Sequence, residues 1–165
     1  VTEYVDRRTR LINAPPKDVF AVVCRLGGDA GWFSPRWLWR LRGWLDRLGG
    51  GPGLTPRRDA VTLEIGDTVD FWRVTALEPP ERLRMLSEMK MPGVGILEFE
   101  MTPGDPSARS CRLCQKATFA PAGPLGHLYW FSLSPVHLWI FRRMINGIAR
   151  TAEMERGALG ARTNG

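Results

Sequence analysis

Apolar residues recur along this chain with two different periods, and the changes between them divide it into elements. Glu3 to Ile12 mixes Thr, Val and Tyr with charged residues, which predicts an edge strand. Asn13-Ala14-Pro15-Pro16 stops it and starts a helix, because proline suits a first helical turn and Asp18 lies near the positive end of the helix dipole. Val19, Val22, Val23 and Leu26 then fall on one stripe, and Gly27-Gly28 ends the helix. A turn at Gly31 to Pro35 leads into a second helix reaching about Leu48. Its apolar positions are Trp37, Leu38, Leu41, Trp44, Leu45 and Leu48, while Arg36, Arg40 and Arg47 mark another face. Packing on the domain is the expected use of that stripe; a lid or a membrane-touching face is the alternative, kept open by Trp39 off the stripe.

Gly49-Gly50-Gly51-Pro52-Gly53 breaks the chain, and the stretch to Gly66 reads as loop with a short strand at Val61 to Glu64. From there the period becomes two. Thr68 to Leu77, Arg82 to Met89, Gly95 to Thr102 and Arg109 to Ala120 each predict a strand. Glu78-Pro79-Pro80-Glu81, Pro92-Gly93 and Pro103-Gly104-Asp105-Pro106 separate them, so the strands form an antiparallel meander. Gly126 to about Glu153 predicts a long helix, with Pro135 marking a kink or a late start. This order predicts an α+β fold: one domain over residues 1–153, its curved sheet wrapped around the last helix, and a flexible tail over 154–165.

Composition narrows the use of such a domain. With 44% apolar and 24% charged residues, the 165-residue chain can bury a core. Seven Trp and seven Phe against two Tyr suit either a large core or a cavity for a flat ligand. The net charge of +6 is carried by arginines scattered through all elements, without zinc-finger spacing, an RNP-like aromatic pair or a basic tail, so nucleic acid is not an expected partner. Cys24, Cys111 and Cys114 are an odd set that fits a reducing, cytoplasmic setting. Cys111-Arg-Leu-Cys114 matches C-x-x-C, but on a strand its sulfurs point to opposite faces, which argues against a metal or redox pair. Val1 to Arg10 has no apolar signal core, and Leu125 to Phe141, with two His, two Ser and Pro135, reads as a buried helix before a spanning one.

The order of elements, with Ile12-Asn13-Ala14-Pro15-Pro16-Lys17-Asp18-Val19-Phe20 at the first helix, resembles the START-like, helix-grip superfamily. That group includes polyketide cyclases and aromatases and lipid carriers. Gly27 to Trp32, Asp70-Phe71-Trp72-Arg73-Val74, Glu88 to Gly93 and Leu125 to Trp130 resemble one bacterial family of such domains without an established activity. Its members occur alone or behind a short-chain-dehydrogenase-like NAD-binding domain. The resemblance, from about Val5 to Glu153, implies a pocket between the sheet and the last helix and makes an NAD-binding protein a conceivable partner; no cofactor is implied for this chain.

Alternation sorts the strands. Leu97, Phe99 and Met101 form one inward row; Leu113, Gln115, Ala117 and Phe119 a second; Leu83, Met85, Ser87, Met89 and Met91 a third. For residues 68–77 the Asp70, Trp72, Val74 and Ala76 face is preferred over Phe71, Arg73 and Thr75. The candidate ligand wall is therefore Trp72, Met85, Ser87, Met89, Leu97, Phe99, Met101 and Gln115, with Tyr129 and Leu133 from the last helix. Asp70 and His137 are the weak candidates for proton transfer, and no nucleophile–base–acid set accompanies them. The expected function is binding of a small hydrophobic or aromatic molecule. Two alternatives stand beside it: a cyclase- or dehydratase-like enzyme on a polyketide-type substrate, and an interaction module that meets an NAD-binding partner through Trp39 and the arginine-rich second helix.

Overall fold

A computed structural model describes residues 2–27, 31–33, 35–51 and 62–163. Its elements run β1 (Tyr4–Ile12), α1 (Pro16–Cys24), α2 (Arg36–Leu48), β2 (Thr68–Val69), β3 (Trp72–Glu78), β4 (Arg82–Ser87), β5 (Gly93–Pro103), β6 (Cys111–Pro121) and α3 (Gly123–Thr163). Within α2, the side chains of Arg36, Leu38, Trp39, Arg42 and Asp46 lie outside the description. All strands pair antiparallel in one curved sheet of order β1-β6-β5-β4-β3-β2. Short turns dictate the neighbours from β2 to β6; β1 closes the other edge against β6.

The predicted architecture is present, with three local corrections. First, the strand expected over 68–77 is two strands, because Asp70 takes a left-handed φ of 57° and reverses the chain. Aspartate tolerates that conformation better than most residues, and Val69 pairs with Trp72 to close the hairpin. Second, Thr62 to Glu64 take no strand conformation, while Val61 lies outside the described residues. Third, α3 is helical from Gly123 to Thr163, through Pro135 and beyond Glu153. Two contacts hold the later part of this helix to the connections on either side of α1. Glu153 Oε1 accepts the Asn13 N–H at 3.0 Å, and Arg25 Nη2 pairs with Glu155 at 2.7 Å.

Along each strand the sheet has two unlike ends. At one end α1 and the second half of α3 lie on Leu83, Met85, Leu97, Phe99, Met101 and Leu113, all essentially inaccessible. Met144, Ile148, Ala149 and Ala152 complete that core from α3. Burying each large side chain there contributes about 1.5–3 kcal/mol. The other end is covered by the first half of α3, which Gly126 brings close. A Cβ at that position would lie 2.4 Å from the Pro92 carbonyl oxygen. The outer face is polar: Glu98 pairs with Arg82 at 2.6 Å and lies opposite Arg84 and Lys116 on the neighbouring strands.

The expected packing of α2 is not what the structure has. Trp37, Leu41, Trp44, Leu45 and Leu48 are exposed, and none of its described side chains joins the core. The periodicity correctly predicts an amphipathic helix, but periodicity carries no information about which medium its apolar side meets. Among the described residues, no helix is long and apolar enough to cross a membrane.

Candidate functional site: an aromatic cavity under the first half of the long helix

Beneath the first half of α3 the sheet does not fill the space it encloses. Ser87, Gly95 and Ala117 present small side chains, or none, where the other end of the same strands carries Met85, Leu97, Phe99 and Leu113. The space left has a volume of about 60 Å³. At about 10–15 Å³ per water this is room for several waters. Phe71 and Trp72 at the β2–β3 turn, Met91 after β4 and Phe119 of β6 form its sides. Tyr129, Trp130, His137, Ile140 and Phe141 of α3 roof it.

The roof is held by stacked rings. Trp130 stacks near-parallel with both Tyr4 and Phe119, with centroids 5.2 and 5.7 Å away and planes within 8° of parallel. His137 stands 5.7 Å from Phe141 and 6.2 Å from Trp130. The Tyr4 hydroxyl is 2.7 Å from His127 Nδ1, which ties the edge strand to the first turns of α3. Such ring pairs each add about 0.5–1.5 kcal/mol beyond the area they bury. The wall is therefore largely apolar, and ring contacts hold its roof together.

Trp72 is about nine-tenths buried, lines the cavity, and its Nε1–H has no hydrogen-bond partner among the described residues. An unsatisfied buried donor of this kind costs about 1–3 kcal/mol. Gln115 is the second buried polar side chain nearby. Its Nε2 donates to the Phe141 carbonyl at 3.2 Å and so fastens α3 to β6, while its Oε1 has no partner among the described residues.

The predicted site residues separate into distinct groups. Trp72, Ser87, Tyr129 and His137 line this cavity. Met85, Leu97, Phe99 and Met101 do not; they are solid core, because α1 occupies the volume above them. Met89 is half-buried against that core, Leu133 is half-exposed on α3, and Gln115 fastens α3 to β6 as described. Asp70 is also off the wall. Its Oδ2 accepts the Trp32 indole N–H at 2.6 Å. Cys111 and Cys114 are buried on opposite faces of β6, with Cys114 Sγ accepting from Arg7 Nε at 3.2 Å on the outer side. The Trp39 side chain, the expected contact for an NAD-binding partner, lies outside the described residues.

Sequence reasoning missed Phe71, Met91, Phe119, Trp130, Ile140 and Phe141, together with Gly95 and Ala117, which with Ser87 create the space. The signal available was size along the inward rows: Ser87, Gly95 and Ala117 break runs of large residues at one end of β4, β5 and β6.

Residues 1–144 match the model of the family described as "Protein of unknown function (DUF2867)". The chain belongs to that family. No curated protein matches it. Among solved structures, Zhui aromatase/cyclase from Streptomyces sp. R1128 is similar at a TM-score of 0.56 and 15% identity, covering 92% of this chain and 94% of that one. A Thalictrum flavum norcoclaurine synthase point mutant, in complex with a transition-state analogue, gives 0.54 and 10%, covering 94% and 97%. A Chromobacterium violaceum protein gives 0.51 and 18%, covering 90% and 96%. At these identities the likeness concerns architecture, and the DUF2867 chain has the START-like helix-grip fold.

Proposed function

We propose that this DUF2867 domain binds a small, flat, largely apolar molecule carrying a hydrogen-bond acceptor, held between the sheet and the first half of α3. The observation that carries this reading is the Trp72 indole: a buried donor without a partner among the described residues, on a largely apolar wall. A carbonyl or phenolic oxygen on the ligand satisfies that donor, while Phe119, Tyr129 and Phe141 face the ring.

Acetophenone and ethylbenzene test the reading, because they share a shape and differ in the acceptor. Titration calorimetry is expected to show both binding, acetophenone about fivefold tighter, which is the worth of one net hydrogen bond. Trp72→Phe removes that preference, and acetophenone shifts the Trp72 indole N–H resonance in the wild-type protein. Absence of binding by either molecule overturns the proposal.

A second reading is proton transfer on a bound polyketide-type ring, and one observation favours it: His137 lines the same cavity. The fold shared with the aromatase/cyclase supports testing it. His137→Gln should then abolish turnover of a poly-β-ketone mimic and leave acetophenone affinity within about twofold. Turnover that survives the substitution removes this second reading.

A further inference from the structure

We infer that α2 is a docking surface for an anionic phospholipid bilayer, independently of what the cavity holds. Trp37, Leu41, Trp44, Leu45 and Leu48 lie within an arc of about 100° at the helical period of 3.6. All five face solvent, with Trp37 64% exposed, Trp44 58% and Leu48 67%. Gly43, roughly opposite the stripe on the helical wheel, is the buried position among the described α2 residues. The helix therefore turns its apolar side out, the reverse of an ordinary surface helix.

Charge selects the occupant. The α2 sequence carries four Arg against one Asp, and Arg40 and Arg47 are exposed beside one edge of the stripe. Tryptophan and leucine on one face with arginine beside them, over a helix too polar to be a core element, is the pattern of an interfacial helix. The surface continues past both ends of α2. Before it, the Phe33 carbonyl accepts from Arg143 Nε at 3.3 Å, and the Phe33 ring packs on Gly147 of α3. Arg143 in turn lies over the exposed Trp139 ring, 5.0 Å from its centroid. After it, Gly50 sits beside Lys90 Nζ, next to Met91 of the cavity wall. A protein partner or a second copy would accept the leucines and tryptophans, but the flanking cations match a surface of negative headgroups.

Flotation of the full chain with large unilamellar vesicles tests this. Binding is expected on phosphatidylcholine vesicles containing phosphatidylglycerol, weak on phosphatidylcholine alone, and reduced by added salt. Arg40→Gln with Arg47→Gln lowers partitioning on the anionic vesicles by about thirtyfold, the effect of two surface cations. Trp37→Ser with Trp44→Ser abolishes it. Circular dichroism and urea unfolding show that these exposed changes leave the fold intact. Brominated phosphatidylcholine mixed into the anionic vesicles quenches wild-type tryptophan fluorescence, and Trp37→Phe with Trp44→Phe reduces that quenching while keeping the binding. Failure of the wild type to float with anionic vesicles overturns the inference, as does equal binding to neutral ones. A concentration-dependent dimer that Trp37→Ser with Trp44→Ser dissolves, and that vesicles fail to displace, overturns it in favour of a second copy.

Discussion

The indole N–H of Trp32 donates to Oδ2 of Asp70 across 2.6 Å, joining the approach to α2 to the turn between β2 and β3. Trp32 is only 2% exposed, so this bond satisfies a donor that water does not reach. Asp70→Asn keeps an acceptor and the tolerance for a left-handed backbone, and is expected to cost under about 1 kcal/mol. Asp70→Ala strands the indole and is expected to cost about 1–3 kcal/mol in urea unfolding. Neither change should alter acetophenone affinity, since Asp70 is not on the cavity wall. A large loss of affinity in Asp70→Asn contradicts that placement.

The wall and the core are separable by substitution. Ala117→Leu fills the space beneath α3 and is expected to weaken acetophenone binding at least about tenfold, with stability changed by no more than about 1–3 kcal/mol. Met85→Ala opens a hole where α1 packs, costing about 2–5 kcal/mol while binding persists. Paired calorimetry and unfolding curves read both outcomes. The reverse pattern places the ligand at the other end of the sheet.

Cys111 gives the fold an alkaline limit. Burial pushes its thiol up to about 11 from an ordinary 9.0, so the unfolded chain loses that proton first as pH rises. Its contribution is complete below pH 9.0 and is lost as the pH climbs through about 11. The expected fall is of order 2 kcal/mol. Urea midpoints measured between pH 8 and 11 should drop in the wild type and drop less in Cys111→Val.

Asp105 acts at the acid end. It accepts the Ser107 N–H at 2.9 Å and the Ser110 N–H at 2.7 Å, and both hydroxyls bond to it as well. These bonds favour the carboxylate and hold its pKa well below the ordinary 3.8. Its contribution is present above that ordinary value and lost as pH falls below it. Asp105→Ala should flatten the acid limb of the stability profile and speed amide exchange at Ser107 and Ser110 at neutral pH.

Local rules reach some of these residues and stop at others. The inward rows of β4, β5 and β6 were readable because side chains alternate along a strand, and Leu83, Leu97 and Leu113 are buried accordingly. Alternation does not say what lies above an inward residue. Met85 and Ser87 share one row, yet α1 closes over the first while a hollow remains over the second. Asp70 shows a different limit: its left-handed backbone ended a run whose alternation continued on paper.

The sequence by itself determined the fold class, the meander and the amphipathic character of α2, since these follow from period, turn residues and helix starts that act over a few neighbouring positions. Tertiary structure alone decided where the hollow lies, that Trp72 lines it with its indole N–H unpartnered among the described residues, and that α2 turns Trp37 and Trp44 outward. Each depends on which element covers which, a relation between residues far apart in the chain that no local period encodes.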